Sequence, residues 1–480
     1  MTLTPPSKSM PIQAWILTIQ LSLFAILYAV WALPETILIR HVCLIVGALI
    51  AIYEIYHYRY LLLKGVNGAI APAWLIVGLF IWVSFHLFFL SNNFSLQMEE
   101  YSSIWKRTIL GAIFALGLGL ALANESIDAD SKKPQAHWTI FYLGLLTPTL
   151  IYIVKYCLTH YGQLWGINAP DFLKLHYGSL PFYLPKTAYV CFCLPALAVA
   201  LGQLKRNIDD HVWFSRGNVI YGLTIPAVFF VFYGENIKNG VVYGALLLTV
   251  FAAMLLLRDF KKHWKQKTLL AGVILIAGSI FLVTHVQKNE SWRTLASDAK
   301  IAWDTESFDH WKYNGAKGYP NNELGKMVSI TNYERIAWGK EALILLAQHP
   351  LGYGLIERSF GHLAKRQWPD STLHQSHSGW LDLALGIGIP GILFVLGALI
   401  LAMAQIRGLL GVKNDQKPLK IPLSRWLSTC WWILLASLVM WCTTEISQKV
   451  FFDSLIFWIA LSSGLVAGSF RSSAPISQSR

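Results

Sequence analysis

Residues 15–33 read WILTIQLSLFAILYAVWAL, an apolar run without a charged side chain. A helix needs about 20 such residues to cross the hydrocarbon core of a bilayer. The run is long for a signal peptide, no Ala-x-Ala cleavage site follows it, and a second apolar run begins a few residues later. We therefore expect residues 12–32 to form a retained membrane-spanning helix.

Similar runs recur along the whole chain. Of its 480 residues, 55% are hydrophobic and only 14% are charged, and the mean hydropathy is +0.47. Soluble domains carry about 25% charged residues, so a membrane is the simplest solvent. The pattern predicts an all-α polytopic membrane protein with about 12 transmembrane helices. The predicted spans are residues 12–32, 36–55, 70–91, 107–124, 138–158, 187–204, 217–234, 240–257, 268–286, 377–406, 426–443 and 449–470.

The formal net charge of +13 is better explained by membrane topology than by nucleic acid. The basic side chains lie in short connections rather than on one face with aromatic residues interleaved. Because alternate connections are rich in Lys and Arg, the positive-inside rule places them and both termini in the cytoplasm, and in a Gram-negative cell the opposite side of the inner membrane is the periplasm. These residues are Arg59, Lys64, Lys132, Lys133, Lys205, Arg206, Arg216, Arg258, Lys261, Lys262, Lys265, Lys267, Arg407, Lys413, Lys417, Lys420, Arg425, Arg471 and Arg480.

One connection is far longer than the others and falls on the opposite, periplasmic side. It divides the chain into residues 1–286 with spans 1–9, a periplasmic loop domain at residues 287–376, and residues 377–480 with spans 10–12 and a cytoplasmic tail. Long loops in compact proteins are commonly functional, although a tolerated insertion is the alternative. Reactive groups are therefore expected in this loop.

The loop has a helical pattern of its own. The residues TNYE from Thr331 to Glu334 are typical of a capping box, with Thr331 at the N-cap and Glu334 at N3. An amphipathic stretch follows at residues 333–347, and Pro350 ends it. A second short amphipathic helix is expected at about residues 355–365.

Arg335 directly follows the capping box, in the first turn of the predicted helix. Its guanidinium fork and the free N–H groups of a helix start would both suit an anion such as a diphosphate. The alternative is a solvated surface arginine paired with Glu334 or Asp309.

Two histidines, His374 and His377, stand where the loop re-enters the membrane. Beside an apolar wall, a neutral imidazole can accept a proton at pH 7 and act as a general base. A structural role at the interface is the alternative. Metal binding is disfavoured, because no acidic third ligand lies close in sequence and no HExxH pattern occurs.

Two further positions on the periplasmic side carry charge. Lys238 lies in a short outer turn against the positive-inside bias, so it is a candidate ligand for a lipid-borne phosphate, with simple snorkelling as the alternative. Glu445 and Lys449 are spaced i to i+4 at the last outer turn and are typical of a structural ion pair first and of a site second.

The motifs of nucleotide chemistry are missing from the sequence. It has no Walker A motif, no GxGxxG after a strand, no GxSxG elbow and no DxD-type carboxylate cluster. We therefore expect no cofactor. A periplasmic enzyme without ATP needs a donor that arrives activated, and a polyprenyl diphosphate sugar meets that requirement.

The loop motifs resemble those of the O-antigen ligase and O-antigen polymerase superfamily of bacterial glycan transferases. His377 begins the ligase signature, an H-[N/S/Q] pair, nine residues and G-x-x-G, which residues 377–391 match without a break. Arg335 and Trp338 are similar to the family's R-x-x-x-W with the spacing shorter by one. The letters PLGYG at residues 350–354 are similar to its P-L-x-G-x-G.

The resemblance covers about residues 215–470 and implies an O-antigen ligase of lipopolysaccharide biosynthesis. Such an enzyme moves O-antigen from undecaprenyl diphosphate to the lipid A core, with inversion and without a metal. It implies that Arg335 and Lys238 bind the diphosphate and that His377 is the general base. The family usually has arginine at the Lys238 position, and lysine keeps the charge but loses the fork. The family's acidic residue at the last outer turn falls on Glu445.

Other functions stay open beside the ligase. Within the superfamily they are the O-antigen polymerase and a protein O-oligosaccharyltransferase. A transporter of anionic lipids would use Arg335 and Lys238 for binding only. It would be expected to place ionisable residues at mid-membrane depth, where few occur, Glu54 and Lys155 lying near span ends. His374, outside the signature, remains a second candidate residue.

Overall fold

A computed structural model describes nine stretches of the chain. Within them the secondary structure is helical, apart from one isolated β-bridge between Asn321 and Met327. The described residues are 11–59, 70–128, 133–175, 183–213, 215–257, 264–288, 290–411, 421–442 and 449–470.

The described residues form sixteen α-helices. They are α1 (Pro11–Val30), α2 (Ile37–His57), α3 (Ala71–Phe85), α4 (Phe94–Glu100), α5 (Lys106–Asp128), α6 (Lys133–Tyr161), α7 (Lys186–Asp209), α8 (Arg216–Gly234), α9 (Lys238–Leu257), α10 (Trp264–Lys288), α11 (Leu295–Trp303), α12 (Ile330–Gln348), α13 (Ser359–Gln367), α14 (Gly379–Gly411), α15 (Ile421–Met440) and α16 (Lys449–Ser469). Single turns of 3-10 or π helix lie at His86–Leu90, Tyr101–Trp105, Gln163–Trp165, Asp171–Leu173, Glu290–Trp292 and Asp309–Tyr313.

Ten helices in the described part of the chain are long and apolar enough to cross a membrane. Helices α1 and α10 add the shorter apolar stretches Trp15–Val30 and Ala271–Thr284. These twelve helices coincide with the twelve predicted spans to within a few residues. The predicted fold class, an all-α polytopic membrane protein, is confirmed.

Helices α5 and α16 pack against each other with their backbones in contact. A Cβ atom added to Gly464 of α16 would meet the carbonyl oxygen of Leu116, and one added to Gly119 of α5 would meet that of Leu461. Small residues at such contacts let membrane helices approach closely and gain van der Waals contact along their length. Nearly all side chains of α16 are buried as a result, so this helix lies inside the bundle.

Helices α11, α12 and α13 give the long loop an apolar core of its own. Trp311, Tyr333, Trp338 and Phe360 are buried in it together with Leu385, which belongs to the membrane helix α14. Burying large aromatic side chains is strongly favourable. The loop is therefore packed onto the bundle by the same apolar contacts that fold it.

The loop is also joined to α14 through the backbone. Helix α14 is broken at Gly388, where φ is 71° and ψ is 176°. Ahead of the break, the carbonyl oxygens of Leu385 and Gly386 accept hydrogen bonds from the N–H groups of Tyr353 and Gly354, each at 2.8 Å. The PLGYG segment thus provides the hydrogen bonds that the broken helix does not provide for itself.

The predicted capping box at Thr331 and Glu334 is wrong. Ser329 is the N-cap of α12, without a side-chain capping bond, and the carboxylate of Glu334 accepts a hydrogen bond from the hydroxyl of Tyr319. A tertiary contact has replaced the local one. Arg335 consequently lies in the second turn of the helix rather than the first.

Candidate active site

Three neighbouring side chains of α12 face the same side of the helix. Glu334 and Arg335 lie four and three residues before Trp338, and residues at these spacings are neighbours on a helix surface. Glu334 and Trp338 are buried, and Arg335 is half-buried. One helix face therefore presents a carboxylate, a guanidinium and an indole ring.

His377 lies directly on this face. Its ring stacks on that of Trp338, with ring centres 5.0 Å apart and planes 10° from parallel. Its backbone has a φ of 58°, in the left-handed region that residues other than glycine rarely adopt. Such strain persists only where the surroundings impose it and is concentrated at functional sites. The imidazole is half-buried and held in one orientation by the indole.

The turn that carries His377 is fixed by Asp382. The carboxylate of Asp382 accepts a hydrogen bond from the backbone N–H of Ser376 at 2.8 Å. Its own N–H donates to the carbonyl of Ser378, also at 2.8 Å. Bonds on both sides of His377 therefore attach the turn to the first turn of α14.

Glu334 lies within electrostatic range of both basic groups. Burial raises the pKa of its carboxyl group, while the hydrogen bond from Tyr319 and the charges of His377 and Arg335 act in the opposite direction. The sequence predicted Glu334 as a capping residue, or as a surface partner of Arg335. The structure instead places a carboxyl group beside the candidate base.

Lys238 belongs to the same cluster, although it comes from α9. Its ammonium group donates a hydrogen bond to the hydroxyl of Ser291, and the side chain of Asn332 donates to the carbonyl of Ser291 at 2.6 Å. The positive charges of Lys238 and Arg335 are close enough to repel each other. The structure thus brings both predicted anion ligands together at the start of α12.

Asp298, which no sequence pattern singled out, connects helix α11 to the start of α12. Its buried carboxylate accepts hydrogen bonds from Thr294 at 2.6 Å, Asn322 at 2.9 Å, Asn332 at 3.0 Å and the backbone N–H of Ser329 at 3.2 Å. Burial alone would raise the pKa of this carboxyl group, but the four hydrogen bonds outweigh burial and lower it. No local motif marks Asp298, because its partners come from three separate segments.

His374 lies apart from the cluster. Its side chain is exposed and lines a cavity of about 240 Å³ together with Glu357, Arg358 and Gln375. It is three residues from His377, a distance of at most about 11 Å along the chain. His377 therefore stands at the charged cluster, whereas His374 lines a cavity of which His377 is not a lining residue.

Two predictions have no structural outcome. Glu445 lies outside the described residues, so its role stays a prediction, as does its pairing with Lys449. Among the residues that the structure describes, no group of three His, Cys, Asp or Glu side chains has the arrangement of a metal site. The metal-free mechanism stays a prediction that a chelator can test.

The cluster has the groups that transfer from a diphosphate requires. Arg335 and Lys238 give two adjacent cations for an anionic leaving group, and His377 gives a proton acceptor held in place by stacking. Fixed charges at the place where charge develops are among the largest contributions to catalysis. The arrangement suits removal of a proton beside a departing anion.

Comparison with known families agrees with the motifs. The family model described as O-antigen ligase matches residues 212–396, a segment that contains Lys238, Arg335, His374 and His377. The resemblance to the O-antigen ligase family is thereby confirmed over this segment. No curated protein matches the chain closely enough to report.

Asp298→Asn is expected to loosen the loop. An amide cannot accept all four hydrogen bonds, since its NH₂ group would face another donor, and an unsatisfied buried polar group costs about 1–3 kcal/mol. We expect proteolysis of the loop at pH 7 to become roughly tenfold faster or more, because cleavage of an opened segment follows its population. Digestion of the purified protein measures this rate.

The matched control is Asp304→Asn, an exposed residue two turns along the chain, which should be cleaved as slowly as the wild type. The lowered pKa of Asp298 also gives a pH dependence. The ionised carboxylate contributes its full stability at a pH above 3.8, the ordinary pKa of an aspartate. This contribution is lost as the pH falls through the lower pKa of Asp298 in the folded protein. The difference between wild type and Asp298→Asn should therefore shrink in pepsin digests below that pH, and equal cleavage at pH 7 would contradict this role.

Proposed function

We propose that this chain is an O-antigen ligase, which transfers O-antigen polysaccharide from undecaprenyl diphosphate to the lipid A core. One observation carries the proposal. The signature histidine, His377, stacks on Trp338, and Arg335 of the same helix lies beside Lys238. Residues from three distant segments thus meet inside the segment that matches the ligase family.

In this proposal the protein lies in the bacterial inner membrane with both termini in the cytoplasm. The support is the distribution of Lys and Arg over successive connections. The long loop and the cluster around His377 then face the periplasm. Both substrates are lipids of the same bilayer, so the donor and the acceptor can reach the site from the membrane.

The reaction is a direct displacement at the first sugar of the donor. The hydroxyl oxygen of the acceptor forms a bond to the anomeric carbon as the bond from that carbon to the diphosphate oxygen breaks. His377 takes the hydroxyl proton, a contribution of about 10² to 10⁴ in rate. Undecaprenyl diphosphate leaves with the electron pair, and attack from the opposite face inverts the anomeric carbon.

Arg335 and Lys238 would bind the diphosphate and stabilise the charge that develops as it leaves. The guanidinium fork contacts two phosphate oxygens at once, whereas an ammonium group acts as a point charge. The two cations repel each other without a ligand, which a bound dianion would relieve. No divalent metal is needed in this scheme, because the two side chains supply the positive charge.

The polymerase of the same superfamily would use the same groups with a glycan as acceptor, so complementation separates the two. The chain is expressed in one strain that lacks the ligase and in another that lacks the polymerase, and lipopolysaccharide is analysed on a gel. A ligase restores the whole ladder in the first strain. Conversion of a single-repeat band to a ladder in the second would identify a polymerase, and no change in either would favour a protein oligosaccharyltransferase or a transporter.

Arg335→Lys is expected to lose most of its activity while the protein still inserts. The charge remains, but paired recognition of phosphate oxygens does not. Turnover of purified enzyme with donor lipid and acceptor measures the loss. Arg366→Lys, the same change at an exposed loop arginine, is the control, and Lys238→Arg should keep or raise activity. Near-normal turnover of Arg335→Lys would remove the diphosphate role.

His377→Ala is expected to abolish ligation without lowering the amount of protein in the membrane. His374→Ala, outside the signature, should retain measurable activity. The rate of the wild type should fall on acidification, since a protonated imidazole accepts no proton. The assay is run with and without EDTA. Activity of His377→Ala equal to wild type would overturn the base assignment, and loss of wild-type activity in EDTA would overturn the metal-free mechanism.

A further inference from the structure

A larger cavity, of about 540 Å³, lies away from the cluster around His377. Its walls come from the turn between α1 and α2, the starts of α2, α5 and α7, the start of α16 and Glu357 of the long loop. Lys238, Arg335 and His377 are not among the lining residues. None of the side chains assigned to the proposed reaction lines this cavity.

Two arginines line this cavity, Arg40 in the first turn of α2 and Arg107 in the first turn of α5. Arg40 Nη1 donates to the carbonyl of Trp31 at 3.2 Å, and Arg107 Nε donates to Asp453 at 3.1 Å. The buried atoms Arg40 Nε and Arg107 Nη2 have no hydrogen-bond partner among the described residues. Buried charged donors without an acceptor are costly, so the pair is suited to an anion that enters the cavity.

The carboxylate of Asp453 lies beside the two arginines and attracts both of them. Its side chain is 2% exposed, and its second oxygen accepts a hydrogen bond from the hydroxyl of Thr108 at 2.6 Å. It attracts both Arg107 and Arg40, which repel each other. One fixed carboxylate thus holds two guanidinium groups near each other. A phosphate matches two guanidinium groups, because each can donate two parallel hydrogen bonds to it.

The rest of the cavity indicates what carries the phosphate. Leu33, Pro34, Ile37 and Val450 make an apolar wall, and Ile37 is 58% exposed on the outer surface of α2. In a spanning helix this surface faces lipid, so acyl chains can lie along it. Glu357, which also lines the cavity, is a carboxylate, and carboxylates can accept hydrogen bonds from the hydroxyl groups of a sugar. Phosphate, sugar and acyl chain together describe a phosphorylated glycolipid.

The cavity shares one lining residue with the smaller cavity at His374. Glu357 lines both this cavity and the smaller one of about 240 Å³, whose other walls are Arg358, His374 and Gln375. Its lining is polar, as a glycan requires, and His374 is at most about 11 Å along the chain from His377. Sugars that extend from a glycolipid at the arginines would pass Glu357 and reach the side chains of the second cavity, which include His374.

We propose that the cavity at Arg40 and Arg107 binds a phosphate of the acceptor glycolipid, an inference that rests on the proposed transferase function. The chemistry distinguishes the acceptor from the donor. The diphosphate of the donor adjoins the bond that breaks and must lie at the base. The phosphates of the acceptor are separated from its reacting hydroxyl by several sugars and must lie away from it. The two cation pairs are separate, since Lys238 and Arg335 are not among the residues that line the cavity of Arg40 and Arg107, and this fits the requirement.

Steady-state kinetics of the purified full chain test the site. Arg40→Gln is the main variant, because Arg107→Gln would leave Asp453 buried without its ion pair, and Arg107→Lys is the second. The KM for the acceptor should rise roughly tenfold to hundredfold, as expected for loss of a charge-assisted phosphate contact, and the KM for the donor should not change. Lys365→Gln removes an exposed charge from α13 and is the matched control.

A dephosphorylated acceptor identifies the group that is bound. With the wild type its KM should match that of the intact acceptor with Arg40→Gln, and the variant should not distinguish the two acceptors. An unchanged acceptor KM in both variants overturns the proposal. A raised donor KM assigns the cavity to the donor and also overturns it, as does equal competition by vesicles of phosphatidylglycerol, which would make the site a general one for anionic lipids.

A binding measurement separates this proposal from the proposed function. Native mass spectrometry of the purified chain with lipid A and with its dephosphorylated form needs no turnover. If the wild type prefers the phosphorylated form and Arg40→Gln does not, the site stands even where no transfer is detected. If transfer is normal and the preference is the same in both proteins, the transferase function stands and this site is overturned.

Discussion

The fold of the site depends on a membrane helix that is broken at Gly388. Backbone groups inside a bilayer must be hydrogen-bonded within the protein, because lipid provides no partner. The loop provides one: residues 353 and 354 donate to the carbonyls before the break, and the N–H of Ile389 donates to the carbonyl of Pro350 at 2.7 Å. A Cβ atom at Gly352 would meet the backbone of Gly386 and Gly388, so glycine is required for this approach.

This junction determines where the reactive groups lie. Helix α12 ends at Gln348, just before the segment that pairs with α14, and His377 stands at the start of α14. Fixing the end of one helix against the body of the other leaves Trp338 beside His377. The signature glycine Gly388 permits the close approach of the loop to the helix, and the signature histidine, His377, lies just before the start of the same helix.

Hydropathy was sufficient for the spans, because a bilayer imposes a length and a composition on every helix that crosses it. The capping-box pattern pointed to Arg335, the outer turn to Lys238 and the family signature to His377, and the structure brings these residues together. Local patterns failed where tertiary contacts decide. Glu334 has the spacing of a capping residue, yet the hydroxyl of Tyr319 binds it, and Asp298 has partners too far apart in sequence to suggest a site.

The pair Arg40 and Arg107 was hidden from sequence analysis for the same reason, since Asp453 is 346 positions from Arg107. This pair suggests a shared reason for positive charges on the side of the membrane opposite the cytoplasm. The positive-inside rule expects most Lys and Arg residues on the cytoplasmic side, so each cation on the other side needs a reason of its own. Two pairs of cations that repel each other occur among the described residues, Lys238 with Arg335 and Arg40 with Arg107. A transferase that joins two phosphorylated lipids would need two anion sites, and the two proposed sites would supply them, with Glu357 lining both the cavity of the second pair and the cavity of His374.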